Sequence, residues 1–436
     1  MISIPRDIKV NLSLLAFFCM VFLFFGTGNI DSSDTRIRLD ISKKIVNSQE
    51  LSFGNDHINS GGIVYNREGK RFSVFSLGQS LLGIPVYGLS QIINWFFPKL
   101  DYNYVFYFLF SLLNPVVSTI VCWLIYLILR NTGHNAESAT TVSLIYGFCT
   151  IALQQAQNSF EHPLEALSLA SAIMLLVRKK PGSANFKAVL LGATMGLGIL
   201  LRNSFIFALP GLMFYYAYGM LREGHPGKTL AEKISLVIIV TVVFMAPQLY
   251  YNNYRFGSIW NTGYGAVPRG NVFFGIIDLL FSPRCGLFLF QPVLAVGLLG
   301  LAAIWRKGKE RPMAVMIAVI SLCYLIGCAP FSGILGWSWG PRFLLPCVLL
   351  LSLPLAEVIE HLANWSRVHI FLWRSIVYIS LAISLSSVLG NYRRLLMEQE
   401  IRNIDRHERF YSWKQSPILH QFYDLPLLWR NALTKA

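Results

Sequence analysis

Charge is what this chain has least of. Only 14% of its 436 residues are charged, against roughly 25% in an ordinary soluble domain. Acids are scarcer than bases, 22 against 37. A core of ordinary size cannot hide a chain that is 54% hydrophobic. These shortages exclude a soluble cytosolic enzyme and a disordered chain. The net charge of +15 does not mark a nucleic-acid binder either, because the bases are spread between apolar segments rather than gathered on one face. Cysteine is sparse too, at seven residues, of which all but Cys285 lie inside apolar runs. With no CxxC and no Cys/His cluster, neither a disulfide framework nor a zinc site is expected. There is no GxxxxGK[ST] loop and no GxGxxG after a strand, so any activated donor has to arrive in the membrane. Internal repeats and paired broken spans are also missing, which argues against a transporter built from inverted halves.

What remains is a polytopic all-α membrane protein. The first apolar run, Val10–Phe25, follows Arg6 and Lys9 and shows no small-x-small cleavage pattern, so it reads as a retained signal anchor. Ten further runs approach the roughly 20 residues a span needs: Tyr104–Leu129, Ser138–Gln157, Pro163–Val177, Phe186–Leu201, Ser204–Leu221, Ile234–Tyr250, Gly286–Trp305, Pro312–Ala329, Phe343–Glu360 and Ile370–Gly390. About eleven transmembrane helices are expected. Charge decides the ambiguous Ser73–Phe97 segment. With it lying on the membrane and the N-terminus inside, Arg178-Lys179-Lys180 and Arg306, Lys307, Lys309 and Arg311 all become cytoplasmic, as the positive-inside rule favours. The expected organisation is a transmembrane domain over 1–390, with an external first loop (29–103) carrying interfacial helices. An external interfacial tail follows at 391–436, aromatic through Tyr411, Trp413, Phe422 and Trp429.

Polar chemistry gathers on the external face. Asp31 and Asp34 follow the first span in Gly28-Asn29-Ile30-Asp31-Ser32-Ser33-Asp34-Thr35-Arg36-Ile37-Arg38. A carboxylate held there can take a proton from a hydroxyl or help bind a divalent cation, although boundary aspartates also cap helices. Arg36 and Arg38 can pair with phosphate oxygens. Lys70 and Arg71 sit where lipid phosphates would be, which suits a lipid-linked phosphate or a plain interfacial anchor. Glu161 and His162 end the third span outside, and Arg202 lies between two spans on the same face. Arg255, Arg284 and Arg342 occupy later external stretches. Trp337 and Trp339 flank a Gly/Pro turn beside Arg342, a grouping suited to stacking on a sugar and holding its phosphate, whereas most boundary aromatics simply form the interfacial belt.

These motifs resemble the GT-C superfamily of polyprenyl-phosphate-dependent glycosyltransferases, which includes the protein O-mannosyltransferases and the enzymes that add aminoarabinose to lipid A. Asp34-Thr35-Arg36-Ile37-Arg38 is similar to the family's first-loop acidic motif, and Gly69-Lys70-Arg71-Phe72 into Gly78-Gln79-Ser80 to its second juxtamembrane helix. Glu161 stands where many members place an aspartate. Arg255-Phe256-Gly257, Ser282-Pro283-Arg284-Cys285-Gly286 and Trp337-Ser338-Trp339-Gly340-Pro341-Arg342 resemble motifs of an uncharacterised bacterial branch. Where many members have two adjacent acids, Thr35 follows Asp34 here.

The resemblance implies an inverting glycosyltransferase in a bacterial inner membrane, its site facing the periplasm or exterior. It would move a sugar from a polyprenyl phosphate to a lipid, glycan or protein hydroxyl. It implies Asp34 as general base, with Asp31 second. Arg202, Arg255, Arg284, Arg342, Lys70 and Arg71 are the candidates for the donor phosphate. Glu161, His162, Trp337 and Trp339 would line the acceptor and sugar side. Asp31 and Asp34 are the only candidates to hold a divalent cation. A polysaccharide polymerase or ligase, and a flippase of lipid-linked sugars, are the alternative classes.

Overall fold

The computed structural model describes residues 6–53, 62–66, 68–178, 183–266, 269–308 and 310–424. Lys179, Lys180, Lys309 and Trp429 therefore lie outside the described residues, as do the side chains of Arg6, Lys9 and Trp337.

The chain opens with the apolar α1 (Arg6–Phe24). Helix α2 (Ser33–Ser48) starts with Asp34 in its first turn, where a carboxylate complements the helix dipole. It buries Thr35, Arg38, Leu39 and Ser42, a set at helical spacing. A two-stranded antiparallel hairpin follows, β1 (Ile63–Tyr65) and β2 (Arg71–Ser73), in which Val64 pairs with Phe72. Helix α3 (Gly78–Phe96) then packs on α2. At Gly83 a Cβ would come within 2.3 Å of the Ser42 hydroxyl, so only glycine admits this approach. The other side of α3 shows Leu89, Ile92, Trp95 and Phe96 to the surroundings, the amphipathic character expected of an interfacial helix.

Next come α4 (Tyr102–Ser111), α5 (Leu113–Thr132), α6 (Ala136–Phe148), α7 (Ala152–Gln157), α8 (His162–Val177) and α9 (Ala184–Leu201). A 3-10 turn over Asn203–Ala208 leads into α10 (Leu209–Arg222) and the 30-residue α11 (Gly227–Phe256). Glycines let α9 and α11 lie side by side: a Cβ on Gly192 or Gly196 would meet the carbonyl oxygens of Val237 or Thr241 at 2.6 and 2.5 Å. Close contact through small residues is a usual way for helices to associate in lipid. The rest is α12 (Val272–Phe281), α13 (Leu287–Phe290), α14 (Val293–Arg306), α15 (Arg311–Cys328), α16 (Leu345–Ser352), α17 (Leu355–His361), α18 (Arg367–Leu389), α19 (Tyr392–Ile401) and α20 (Arg406–Tyr411).

Seven helical stretches among the described residues are long and apolar enough to cross a membrane: Tyr102–Thr132, Ala184–Leu201, Asn203–Arg222, Gly227–Phe256, Arg311–Ile334, Arg342–Asn364 and Arg367–Leu389. The protein is thus an integral membrane protein. Each expected span falls on helix, but four do so differently from the sequence reading. Val10–Phe24, His162–Val177 and Val293–Arg306 are shorter apolar helices, and Ser138–Gln157 breaks between α6 and α7. The short apolar helix Val272–Phe281 was not anticipated, because ten residues fall well under a span's length.

Burial separates centre from periphery. The Arg342–Asn364 stretch is 89% buried inside the protein, whereas Gly227–Phe256 is 11% buried. Apolar residues exposed on the outer helices, such as Ile238, Ile239, Val242 and Val243 on α11 and Phe371, Leu372, Tyr378 and Ile379 on α18, form the lipid-facing surface. The tail from Asn391 docks on the body rather than only resting on an interface. Gln399 accepts from Arg284 (2.9 Å), Asp278 from Tyr411 (2.6 Å) and the Pro283 carbonyl from Ser416 (2.8 Å).

Candidate active site

The segment between α7 and α8 is the foundation of the site. Its backbone carbonyls are held from three directions: Thr35 and Gln79 donate to Ser159 O at 2.9 and 2.8 Å, and Asn114 donates to Asn158 O and Phe160 O at 2.6 and 2.7 Å. These bonds fix Phe160, Glu161 and His162 against α2, α3 and α5. Pro163 follows in the first turn of α8, where its missing N–H costs nothing.

Glu161 is buried and reaches two guanidiniums. Arg38 of α2 lies 2.9 Å away, and Arg202, from the turn after α9, bonds its other oxygen. Burial alone would raise the Glu161 pKa, but Arg38, Arg202 and the more distant Arg342 outweigh it and hold the carboxyl below the usual glutamate range. Arg202 is caught on both sides. Its Nε lies 3.1 Å from Glu165 and donates to Ser204 at 2.7 Å, and Ser204 in turn donates to Glu165 at 2.6 Å. Burial works against the Arg202 charge, yet the two glutamates raise its pKa further above the ordinary arginine value.

Above this network lies a cavity of about 290 Å³. Asp34, Arg38, Glu161, His162, Arg202, Arg269, Arg342 and Tyr264 line it, with Phe75, Phe160, Phe207, Phe331 and Phe343 as apolar wall. Asp34 is half-buried, and its carboxylate accepts only a long 3.5 Å bond from Ser33 among the described residues. Arg342 stacks over Phe160 at 4.1 Å, and Arg38 over Phe75 at 4.0 Å. The Nη1 of Arg38 and the Nε and Nη1 of Arg342 are buried and meet no acceptor among the described residues. Buried guanidinium N–H groups without acceptors are costly, and an anion with several oxygens would find partners for them in this cavity. A divalent cation does not fit the same place. Glu161 is already engaged by two arginines, Asp31 is turned away, and no group of three or more candidate ligands exists among the described residues.

The structure therefore brings Asp34, Glu161, His162, Arg202 and Arg342 together from four separate stretches of chain. It does not bring the other candidates there. Arg255 is buried in the core, donating to Ser73 O and Asn252 and stacked on Tyr251. Arg284 is fixed to Gln399 of the docked tail, and burial lowers its pKa to about 10. Trp339 is packed between Phe290 and Tyr392 with 1% exposure, which leaves no free face for a sugar. Lys70 is exposed beside the β-hairpin turn, and Arg71 lies over the Tyr65 ring, both away from the cavity. Asp31 pairs with Arg393 at 3.1 Å and faces a different cleft. The sequence reading missed Tyr264, Arg269, the Glu165–Ser204 clasp and the aromatic wall. Glu165 carried the readable signal, a carboxylate inside an apolar helix.

No family model matches the chain, and no curated protein does. Solved structures do. The crystal structure of ArnT from Cupriavidus metallidurans bound to undecaprenyl phosphate aligns with a TM-score of 0.54 at 15% identity, covering 94% of this chain and 74% of that one. The apo ArnT structure from the same organism aligns with the same score and identity over 97% and 77%. At this identity the likeness concerns the fold alone: the chain adopts a fold similar to that of the ArnT structures.

Proposed function

We propose that the protein is an integral-membrane glycosyltransferase that moves one sugar from a polyprenyl-phosphate carrier to an acceptor hydroxyl. The observation that carries this reading is a cavity in which a half-buried carboxylate, Asp34, shares the lining with Arg38 and Arg342, whose buried Nη1 (Arg38) and Nε and Nη1 (Arg342) meet no acceptor among the described residues. The likeness to a fold crystallised with undecaprenyl phosphate supports a lipid-linked phosphate as the anion.

In this reading Arg342 and Arg38 receive the phosphate oxygens of the donor. Arg202 keeps the cavity positive while it is itself held by Glu161 and Glu165. The phenylalanine wall accepts the first isoprene units. The acceptor hydroxyl attacks the anomeric carbon as the bond from that carbon to the phosphate oxygen breaks. Asp34 takes the hydroxyl proton, and the arginines stabilise the negative charge left on the departing polyprenyl phosphate. One displacement of this kind inverts the anomeric centre. Charge bias along the chain supports a cavity on the external face of a bacterial inner membrane.

The test is mass spectrometry of glycolipids and glycans from a strain lacking the protein, complemented with wild type or Asp34→Asn. A sugar that disappears in the deletion, returns with wild type and stays missing with the variant supports the reading. An unchanged glycan profile in the deletion overturns it.

A further inference from the structure

A second cleft lies beside the cavity, and the two share a wall. The wall is the start of α2 together with the Asn158–Glu161 segment: Asp31 and Asn158 face the cleft, whereas Asp34 and Glu161 face the cavity. The far side is supplied by the docked tail through Asn391 and Arg393. Its volume is about 590 Å³, within the range of small-ligand sites.

The lining has an unusual balance. Its charges are cancelled locally, Asp31 by Arg393 at 3.1 Å and Glu398 by Arg394 at 3.1 Å. Gln154 is satisfied within the wall, donating to the Tyr392 hydroxyl at 2.9 Å and accepting from Gln155 and Asn158 at 2.8 and 3.2 Å. The side-chain amides of Gln157 and Asn391 make no hydrogen bond to protein among the described residues. The cleft thus offers two free amides, each a paired donor and acceptor, around neutralised charge.

That chemistry selects a neutral ligand rich in hydroxyls. A phosphate would meet no free cation. A lipid chain would find few apolar side chains along this lining, chiefly Met397, Ile401 and the Tyr392 ring. An extended peptide would want a strand edge or apolar groove, and the only strands among the described residues, β1 and β2, line neither space. Vicinal hydroxyls, which both donate and accept, match the amides.

We infer that this cleft binds a neutral carbohydrate acceptor and holds it next to the segment that carries Asp34. The inference rests on the transferase reading and narrows its acceptor to a glycan. Tyr392 anchors the cleft to the body: its ring packs on Trp339, and its hydroxyl accepts from Gln154 at 2.9 Å.

The full-length protein in its native membrane, with p-benzoylphenylalanine placed at Gln157 or at Asn391, provides the test. After irradiation and digestion, adducts carrying one or more pentose or hexose masses are expected at both positions, and their loss is expected in the Arg393→Ala background. Adducts made only of lipid or peptide, or no adduct at either position, overturn the inference. Glycan profiling of Asp34→Asn keeps the two readings apart. If the sugar product vanishes while position 157 captures only lipid, the acceptor assignment fails and the transferase reading stands. If carbohydrate is captured but the glycan profile is unchanged in a strain lacking the protein, the transferase reading fails.

Discussion

Arg38 and Glu161 meet at 2.9 Å, and through that contact the first surface helix is fastened to the start of α8. Both side chains are almost fully buried, so the pair places Asp34, one turn before Arg38 on the same helix, over the cavity. The predictions concern this network and its neighbours.

Asp34→Asn should abolish sugar transfer without unfolding the protein. Loss of a positioned general base costs about 100- to 10,000-fold in rate. Asp34 makes only one long contact among the described residues, so the melting temperature of the solubilised variant should match wild type. Transfer measured in isolated membranes checks the first expectation and thermal melting the second.

Glu161→Gln should destabilise the protein by about 3–5 kcal/mol, the usual cost of leaving a buried charge unpaired, because Arg38 loses its carboxylate. The same residue gives a pH dependence. Its pKa is depressed in the folded state, so its contribution is complete above the unfolded value of about 4.3 and is lost as pH falls through the lower folded value. Melting curves of wild type taken below pH 5 should show that acid-side loss, and the Gln variant should lack its share of it.

Arg342→Ala should weaken binding of a polyprenyl phosphate while sparing stability. A hydrogen bond to a charged group contributes about 1.5–3 kcal/mol, which is roughly ten- to hundredfold in affinity. The Nε and Nη1 of Arg342 make no hydrogen bond among the described residues, so losing them takes little hydrogen bonding from the fold. Arg342→Lys should fall between the two, since it keeps charge but not the forked geometry. Equilibrium binding to the solubilised protein gives the ranking, and equal affinities for all three would remove Arg342 from the donor site.

Arg284→Ala should do the opposite. Its guanidinium is buried and bonded to Gln399 of α19, and losing that bond should cost about 1–3 kcal/mol and loosen the tail. Limited proteolysis after Asn391 should quicken, while polyprenyl phosphate affinity stays at the wild-type level.

Much of the fold was legible because apolar length is a strong signal: the eleven runs all became helix. The break at Cys149–Ile151 was not, since its partners lie far along the chain: Ile151 N–H donates to Gln291 at 3.3 Å, and the Thr150 carbonyl accepts from Ser384 at 2.7 Å. For the site, the sequence could place Asp34, Glu161, Arg202 and Arg342 at span ends of one sidedness, and they do meet. It could not separate them from Arg255, Arg284 and Trp339, which have the same residue types at the same kind of boundary. An arginine that binds a ligand and one that ties down a carbonyl or a tail differ only in which way the side chain turns. That direction depends on helix packing across long stretches of chain. Asp278 shows the limit most plainly, a buried carboxylate whose partners Ser332, Arg406 and Tyr411 come from two distant segments.

The clasp on Arg202 has a kinetic implication. A side chain gripped by Glu161, Glu165 and Ser204 has already lost its rotamer freedom during folding. An incoming headgroup would then have no floppy cation to tame, and release of the spent carrier would not wait on one relaxing. With the proposed polyprenyl carrier, each cycle would end with the cation still in place, ready for the next headgroup at no further ordering cost.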